Sequence, residues 1–197
     1  MNHLAHAFLA ADTAESLIGN LAGDFFKGPI ARHDPRLREA IRFHRRVDSF
    51  TDSHAAVSAS KKRIAQPFGH YSGIIIDVYY DHLLAGMWRE FSDEPLEDFA
   101  ARTYRTLQQR PELIPPQFAS SLPRMIADDW LVRYRTEQGV SRALHFLSRR
   151  LRKAPPLHKS VELLALHREA LQGDFRSFFP HLIAMKRFEL GRPLSEF

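Results

Sequence analysis

Phe43-His44-Arg45-Arg46-Val47-Asp48-Ser49-Phe50-Thr51-Asp52 is the stretch whose reading decides the fold. Together with Leu37, Ala40 and Ile41 upstream, its apolar residues recur at steps of three and four, which predicts an amphipathic helix starting at Pro35. The same face runs on through His44, Val47, Asp48 and Thr51. A histidine and a carboxylate therefore stand where the pattern predicts core. Burying an ionised carboxylate uncompensated costs on the order of several kcal/mol, so each needs a partner. A bound cation is one candidate, and a buried hydrogen bond or ion pair is the other.

The same interruption recurs downstream. Ser72 to Phe91 reads as a helix with Ile74, Val78, Leu84, Ala85 and Trp88 on its apolar face. Asp77 and Asp81 fall within that face and His82 lies at its edge. The two faces are expected to meet in the core. Carboxylates brought together there repel unless they are protonated, paired with arginine or bridged by a cation. That leaves a metal site, which is favoured, and a carboxylate–arginine network through Arg45 or Arg46.

The rest of the chain reads as further helices. Asn2 to Ala10 is a short one carrying His3 and His6 three residues apart. Glu15 to Phe26 carries Gly19 and Gly23, a small-residue stripe suited to close helix packing, and Asn20 and Asp24 on a neighbouring face. An acid in a last turn opposes the helix dipole, so Asp24 calls for a specific partner. His33-Asp34-Pro35 is read as an N-cap and a first helical residue rather than a metal pair. Ala55 to Ala65 is expected to be a short exposed helix. Pro95–Gln109, Met125–Tyr134, Val140–Lys153, His158–Gln172 and Phe175–Leu190 follow, with a frayed tail from Gly191 to Phe197. Period-two alternation, internal repeats and linkers are absent from the sequence. The expectation is an all-α, single-domain helical bundle spanning 1–197.

Composition narrows the classes. The 197 residues are 44% hydrophobic, enough for one buried core. With no cysteine, disulfides, thiolate zinc sites and cysteine nucleophiles are excluded. There is no apolar run of membrane-spanning length. Met1 to Ala11 lacks a basic segment before an apolar one, so no secretory leader is expected and the cytoplasm is the expected compartment. The net charge of +5 and pI near 9.7 favour an acidic partner. Between Leu131 and Lys153 seven basic residues (Arg133, Arg135, Arg142, Arg149, Arg150, Arg152, Lys153) face one acid, Glu137. That imbalance suits a docking surface.

Asp24, His44, Asp48, Asp77, Asp81 and His82 make an oxygen-rich, mixed-nitrogen donor set. Such ligands suit Mn²⁺, Fe²⁺, Mg²⁺ or Zn²⁺, and hard carboxylates favour Mn²⁺ or Mg²⁺. Water on such an ion ionises near neutral pH and can attack a phosphorus or carbonyl centre. The sequence has no glycine-rich phosphate loop and no Gly-x-Ser-x-Gly elbow, and its spacings differ from those of di-iron bundles. The residues themselves therefore point to a helical metal-dependent hydrolase with phosphoester substrates.

Several of these elements resemble the acyl carrier protein phosphodiesterase family. They are Asn2-His3-Leu4-Ala5-His6, Gly19-Asn20 followed by Asp24, Phe43-His44-Arg45-Arg46-Val47-Asp48 through Thr51-Asp52, Asp77-Val78-Tyr79-Tyr80-Asp81-His82 and Trp130-Leu131-Val132-Arg133-Tyr134. The resemblance implies a helical fold distantly similar to HD-type phosphohydrolases. It implies Mn²⁺-dependent removal of 4′-phosphopantetheine from holo acyl carrier protein, an acidic protein substrate of lipid metabolism. On that basis Asp24, His44, Asp48 and Asp77 are expected to hold the metal. Asp81 or His82 would protonate the leaving serine oxygen, and Arg45 or Arg46 would stabilise the phosphoryl oxygens. His6, Asn20 and Asp52 would complete the site or orient its ligands. An HD-like nucleotide phosphohydrolase is the second expectation. A basic nucleic-acid-binding helical protein is the third, ranked lowest because it leaves Asp77 and Asp81 unexplained.

Overall fold

Local capping chemistry sets the first elements of the fold. The structure is a computed structural model that describes residues 1–151 and 153–191, Leu164 by its backbone alone. Asn2 caps α1 (His3–Leu9), its side chain accepting from the His3 amide, and Thr13 caps α2 (Ala14–Leu21) through the Ser16 amide. Asp34 accepts from the Arg36 amide with Pro35 in the first turn, the local role expected of the His33-Asp34-Pro35 run. A 3₁₀ turn, Pro35–Leu37, leads into α3 (Arg38–Ser53). Then come α4 (Ala55–Arg63), α5 (Ala65–Phe68), α6 (Ser72–Gly86), α7 (Leu96–Gln109), α8 (Pro116–Ala119), α9 (Leu122–Ala127), α10 (Trp130–Arg133), α11 (Glu137–Arg150) and α12 (Val161–Leu190). The described residues contain no strand, and the fold is all-α.

Helix α6 is the centre of the bundle. Ile75, Ile76, Val78, Tyr79, Tyr80, Leu83 and Leu84 are all buried, on every side of the helix, against α1, α4, α11 and α12. A helix apolar all round is one surrounded by others; the single apolar face read from the sequence was only part of its contact surface. Helices α2 and α3 pack closely because Gly19 has no Cβ: one built there would overlap the Ala40 Cβ. The tight-packing reading of the glycine stripe holds.

Several elements differ from expectation. The expected Glu15–Phe26 helix ends at Leu21, with Asp24 in a separate 3₁₀ turn, Gly23–Phe25, and the expected Ser72–Phe91 helix ends at Gly86. Helix α4 is covered rather than exposed: Val57 and Ser60 are buried, Ser60 Oγ donates to Asp174 Oδ2 at 2.8 Å, and Arg63 pairs with the same carboxylate at 3.1 Å. The two expected C-terminal helices are one 30-residue helix. Leu171, Phe175, Phe178, Phe179 and Leu182 form an unbroken buried stripe across Pro180, and packing of that stripe offsets the amide hydrogen bond that a proline removes. Conversely, the expected Met125–Tyr134 helix breaks at Asp129, which adopts φ 45°. Tyr104 spans the break, its hydroxyl donating to Asp129 Oδ1 and accepting from the Leu131 amide, both at 2.9 Å. No helix among the described residues is long and apolar enough to cross a membrane. Of the tail, residues 192–197 lie outside the described residues.

Candidate metal centre

Helices α1 and α3 meet with His6 facing His44 and Asp48. The His6 Nε2 lies 3.1 Å from Asp48 Oδ1, and the His44 Nε2 lies 3.0 Å from Asp48 Oδ2. The two imidazoles stack with centroids 4.1 Å apart. Both histidines are buried and Asp48 is half-buried. One ligand atom from each of the three residues falls within 4.8 Å of the others.

The α2 segment orients this cluster. The His44 Nδ1–H donates to the Asn20 backbone carbonyl at 2.8 Å. A carbonyl only accepts, so this bond places the proton on Nδ1 and turns Nε2 toward the carboxylates, the arrangement that fixes many metal-binding histidines. Asn20 itself is held by its Nδ2 donating to the Ser16 carbonyl at 2.9 Å. Gly23 completes the cradle: a Cβ there would overlap the His44 ring. Its spacing from Gly19 signalled close packing, but only the structure shows that the two glycines meet different neighbours.

Electrostatics around the cluster call for positive charge. Burial disfavours a charged His44, yet Asp24 and Asp48 outweigh it and raise the imidazole to about 9. Burial lowers His6 to about 4, against the pull of Asp48, leaving a neutral ring. Burial opposes ionisation of Asp48, but His44 and His6 hold its carboxyl well below the carboxylate range. The carboxylates thus draw a proton onto His44, and a divalent cation can take that proton's place. Two imidazole nitrogens and a carboxylate fit Mn²⁺, Fe²⁺ or Zn²⁺. Among the described residues the Asn20 Oδ1, beside the cluster's anchor, is buried without a partner.

The remaining expected site residues fall into three groups. Asp24 is exposed, with Oδ1 3.8 Å from His44 Nε2. Asp77 accepts from the Met1 nitrogen at 3.0 Å, and that nitrogen also lies 3.6 Å from Asp48 Oδ1, so Asp77 is joined to the cluster across Met1. The others have different partners. Asp81 is fully buried and accepts from the Leu4 and Ala5 amides at 2.7 and 3.2 Å, capping the helix that carries His6. The His82 Nδ1 donates to the Tyr134 carbonyl at 2.7 Å. Arg45 donates to the Phe26 and Gly28 carbonyls, Arg46 pairs with Glu189 at 2.7 Å, and exposed Asp52 pairs with Lys61 at 2.6 Å. Among the described residues no arginine pairs with the carboxylates of the cluster, and Arg45 and Arg46 have other partners. His6, expected only to support the site, is inside it; its burial on the short first helix is the feature that periodicity in so short a segment could not show.

Asp81 also makes stability depend on pH. Burial raises its carboxyl to about 7, against the two amide hydrogen bonds. An unfolded aspartate titrates near ~3.9, so the folded state binds the extra proton between those values. Stability is then lost as pH rises from about 4 to about 7. Urea-unfolding free energies across that range are expected to fall in the wild type and to fall less in Asp81→Asn; parallel curves would remove Asp81 as the cause.

These features define an all-α protein with a candidate His–His–Asp metal centre. The chain belongs to the acyl carrier protein phosphodiesterase family, whose sequence model matches residues 1–182. Among curated relatives, acyl carrier protein phosphodiesterase from Salmonella dublin is 32% identical over 93% of this chain and 96% of its own length. The proteins of the same name from Salmonella agona and Salmonella newport are 31% identical over the same shares. No solved structure matches the chain. Membership makes the protein a phosphodiester hydrolase by class.

Proposed function

We propose that the chain hydrolyses the phosphodiester joining 4′-phosphopantetheine to a serine of holo acyl carrier protein, releasing apo carrier and 4′-phosphopantetheine in the cytoplasm. The observation that carries the reading is the convergence of His6, His44 and Asp48 on one buried point in a member of this family. These three residues would hold Mn²⁺, with Asp77 supporting Asp48 across Met1. When bound, the ion supplies Lewis-acid polarisation of the phosphoryl group and a lowered pKa for attacking water.

The chain's own groups supply position and proton handling. The Asn20 carbonyl holds the His44 ring in the Nε2-out orientation, so the centre is assembled before substrate arrives. The neighbouring His44 imidazole keeps Asp24 below its ordinary value, so this exposed carboxylate is ionised at neutral pH. It stands ready to take one proton of the water as the new oxygen–phosphorus bond forms. The phosphorus–oxygen bond to serine breaks, and the serine oxygen takes its proton from solvent. Asp81 acts at one remove, through the amides that set the start of α1.

The test is mass spectrometry of holo carrier incubated with the enzyme and Mn²⁺. Loss of the phosphopantetheine mass is expected, with none when EDTA is added. Hydrolysis of nucleotides with holo carrier left intact would overturn the assignment in favour of a nucleotide phosphohydrolase.

A further inference from the structure

A cavity of about 570 Å³ lies beside the candidate centre, walled by α9, α10 and α11. It borders the centre through Asn2 and His3, which begin the helix carrying His6, and through Phe25, next to Asp24. Its other wall carries Arg133, Arg142, Arg149 and Arg150.

These four arginines lie together on one wall and, among the described residues, share a lack of carboxylate partners. Six arginines elsewhere are neutralised within the fold: Arg46 by Glu189, Arg63 by Asp174, Arg102 by Glu94, Arg110 by Glu15, Arg135 by Glu97 and Arg176 by Glu90. Among the described residues, no carboxylate pairs with Arg133, Arg142, Arg149 or Arg150. Arg150 instead lies over the rings of Phe25 and Phe146, 5.6 Å from each centroid. Arg142, Arg149 and Arg150 are exposed, and Arg133 is half-buried. Four like charges on one wall repel one another. The fold retains them where an external anion can neutralise them, beside the only group of three metal-capable side chains among the described residues.

We infer that the α11 face of this cavity is the surface on which the carrier protein docks, with Arg142, Arg149 and Arg150 meeting carboxylates of the carrier and Arg133 lying deeper in the wall. The inference rests on the proposed carrier activity and deepens it by naming the docking face. Charge complementarity selects the occupant: a surface with several carboxylates engages all three exposed guanidinium groups together, through charge-assisted hydrogen bonds. Such contacts act mainly on encounter and affinity, not on the chemical step.

The test compares wild type, Arg142→Glu/Arg149→Glu and, as a basic residue off this face, Arg105→Glu. Binding of fluorescently labelled holo carrier is read by anisotropy and turnover by mass spectrometry, each at low and high salt. Circular dichroism checks that every variant is folded. The double variant is expected to weaken Kd and raise KM by about tenfold or more at low salt. Its kcat should stay near wild type and its salt dependence should be shallower; Arg105→Glu should behave as wild type. Turnover by the wild type with Kd, KM and salt slope unchanged in the double variant would overturn the docking face and leave the activity standing. Failure of the wild type to process holo carrier would overturn the activity and the docking face together. Binding of a single-stranded oligonucleotide to this face, in competition with a carrier that is not processed, would assign the arginines to nucleic acid and overturn the inference.

Discussion

Asp48→Ala is expected to lose turnover by roughly 10³-fold or more, because it removes the one carboxylate shared by both histidines. Loss of about 4 kcal/mol of metal-dependent transition-state stabilisation corresponds to that factor. Two further readouts identify the cause. Calorimetric titration with Mn²⁺ should show binding in the wild type and none in the variant. In the metal-free protein, NMR titration of His44 should move from about 9 toward the ordinary histidine value, since Asp48 is one of the two carboxylates that raise it. Asp52→Ala should leave all three measurements unchanged, because Asp52 is exposed and paired with Lys61. An Asp48→Ala protein that is folded and turns over at the wild-type rate would remove the His–His–Asp cluster from the chemistry.

Gly23→Ala is expected to cost about 10²-fold in activity through one methyl group, the loss that accompanies misplacement of a positioned group by about 1 Å. The added Cβ would overlap the ring of His44. That ring is pinned at Nδ1 by the Asn20 carbonyl and faces Asp48 through Nε2, so it cannot yield without giving up one of these contacts. Overpacking of this kind also destabilises a fold by about 1–3 kcal/mol, which a thermal melt would register as a lower Tm. Mn²⁺ affinity should fall together with turnover. Unchanged Mn²⁺ affinity and turnover in Gly23→Ala would show that His44 does not need the cradle.

The candidate site was only partly legible beforehand, for reasons that particular residues make plain. His44 and Asp48 could be found because α3 is long and strongly amphipathic, so polar residues on its apolar face stand out. Asp77 and Asp81 were found by the same signal on α6, but that helix is buried on nearly every side, and facing the core there does not specify which neighbour is faced. Asp81 turned out to face amides and Asp77 the Met1 nitrogen. Arg45 and Arg46 follow and precede His44 and Asp48 in the chain, yet adjacent positions on a helix point in different directions, and their partners are carbonyls of the 26–28 turn and Glu189.

Sequence alone determined what depends on local periodicity and chemistry. That covers the all-α character, the Asp34 cap, the glycine stripe, the helix carrying His44 and Asp48, the basic run from Leu131 to Lys153 (of which Arg152 lies outside the described residues) and the family resemblance. Tertiary structure alone decided which polar groups meet. It drew His6 from a seven-residue helix into the centre and gave Asp81 to the start of that helix. It joined the last two helical segments through Gly173 and Asp174, carried the helix through Pro180, and left four arginines of one cavity wall without carboxylate partners among the described residues. The physical reason is that helical spacing specifies a face, whereas a partner is chosen by the packing of whole helices and by the free-energy cost of leaving buried polar atoms unsatisfied.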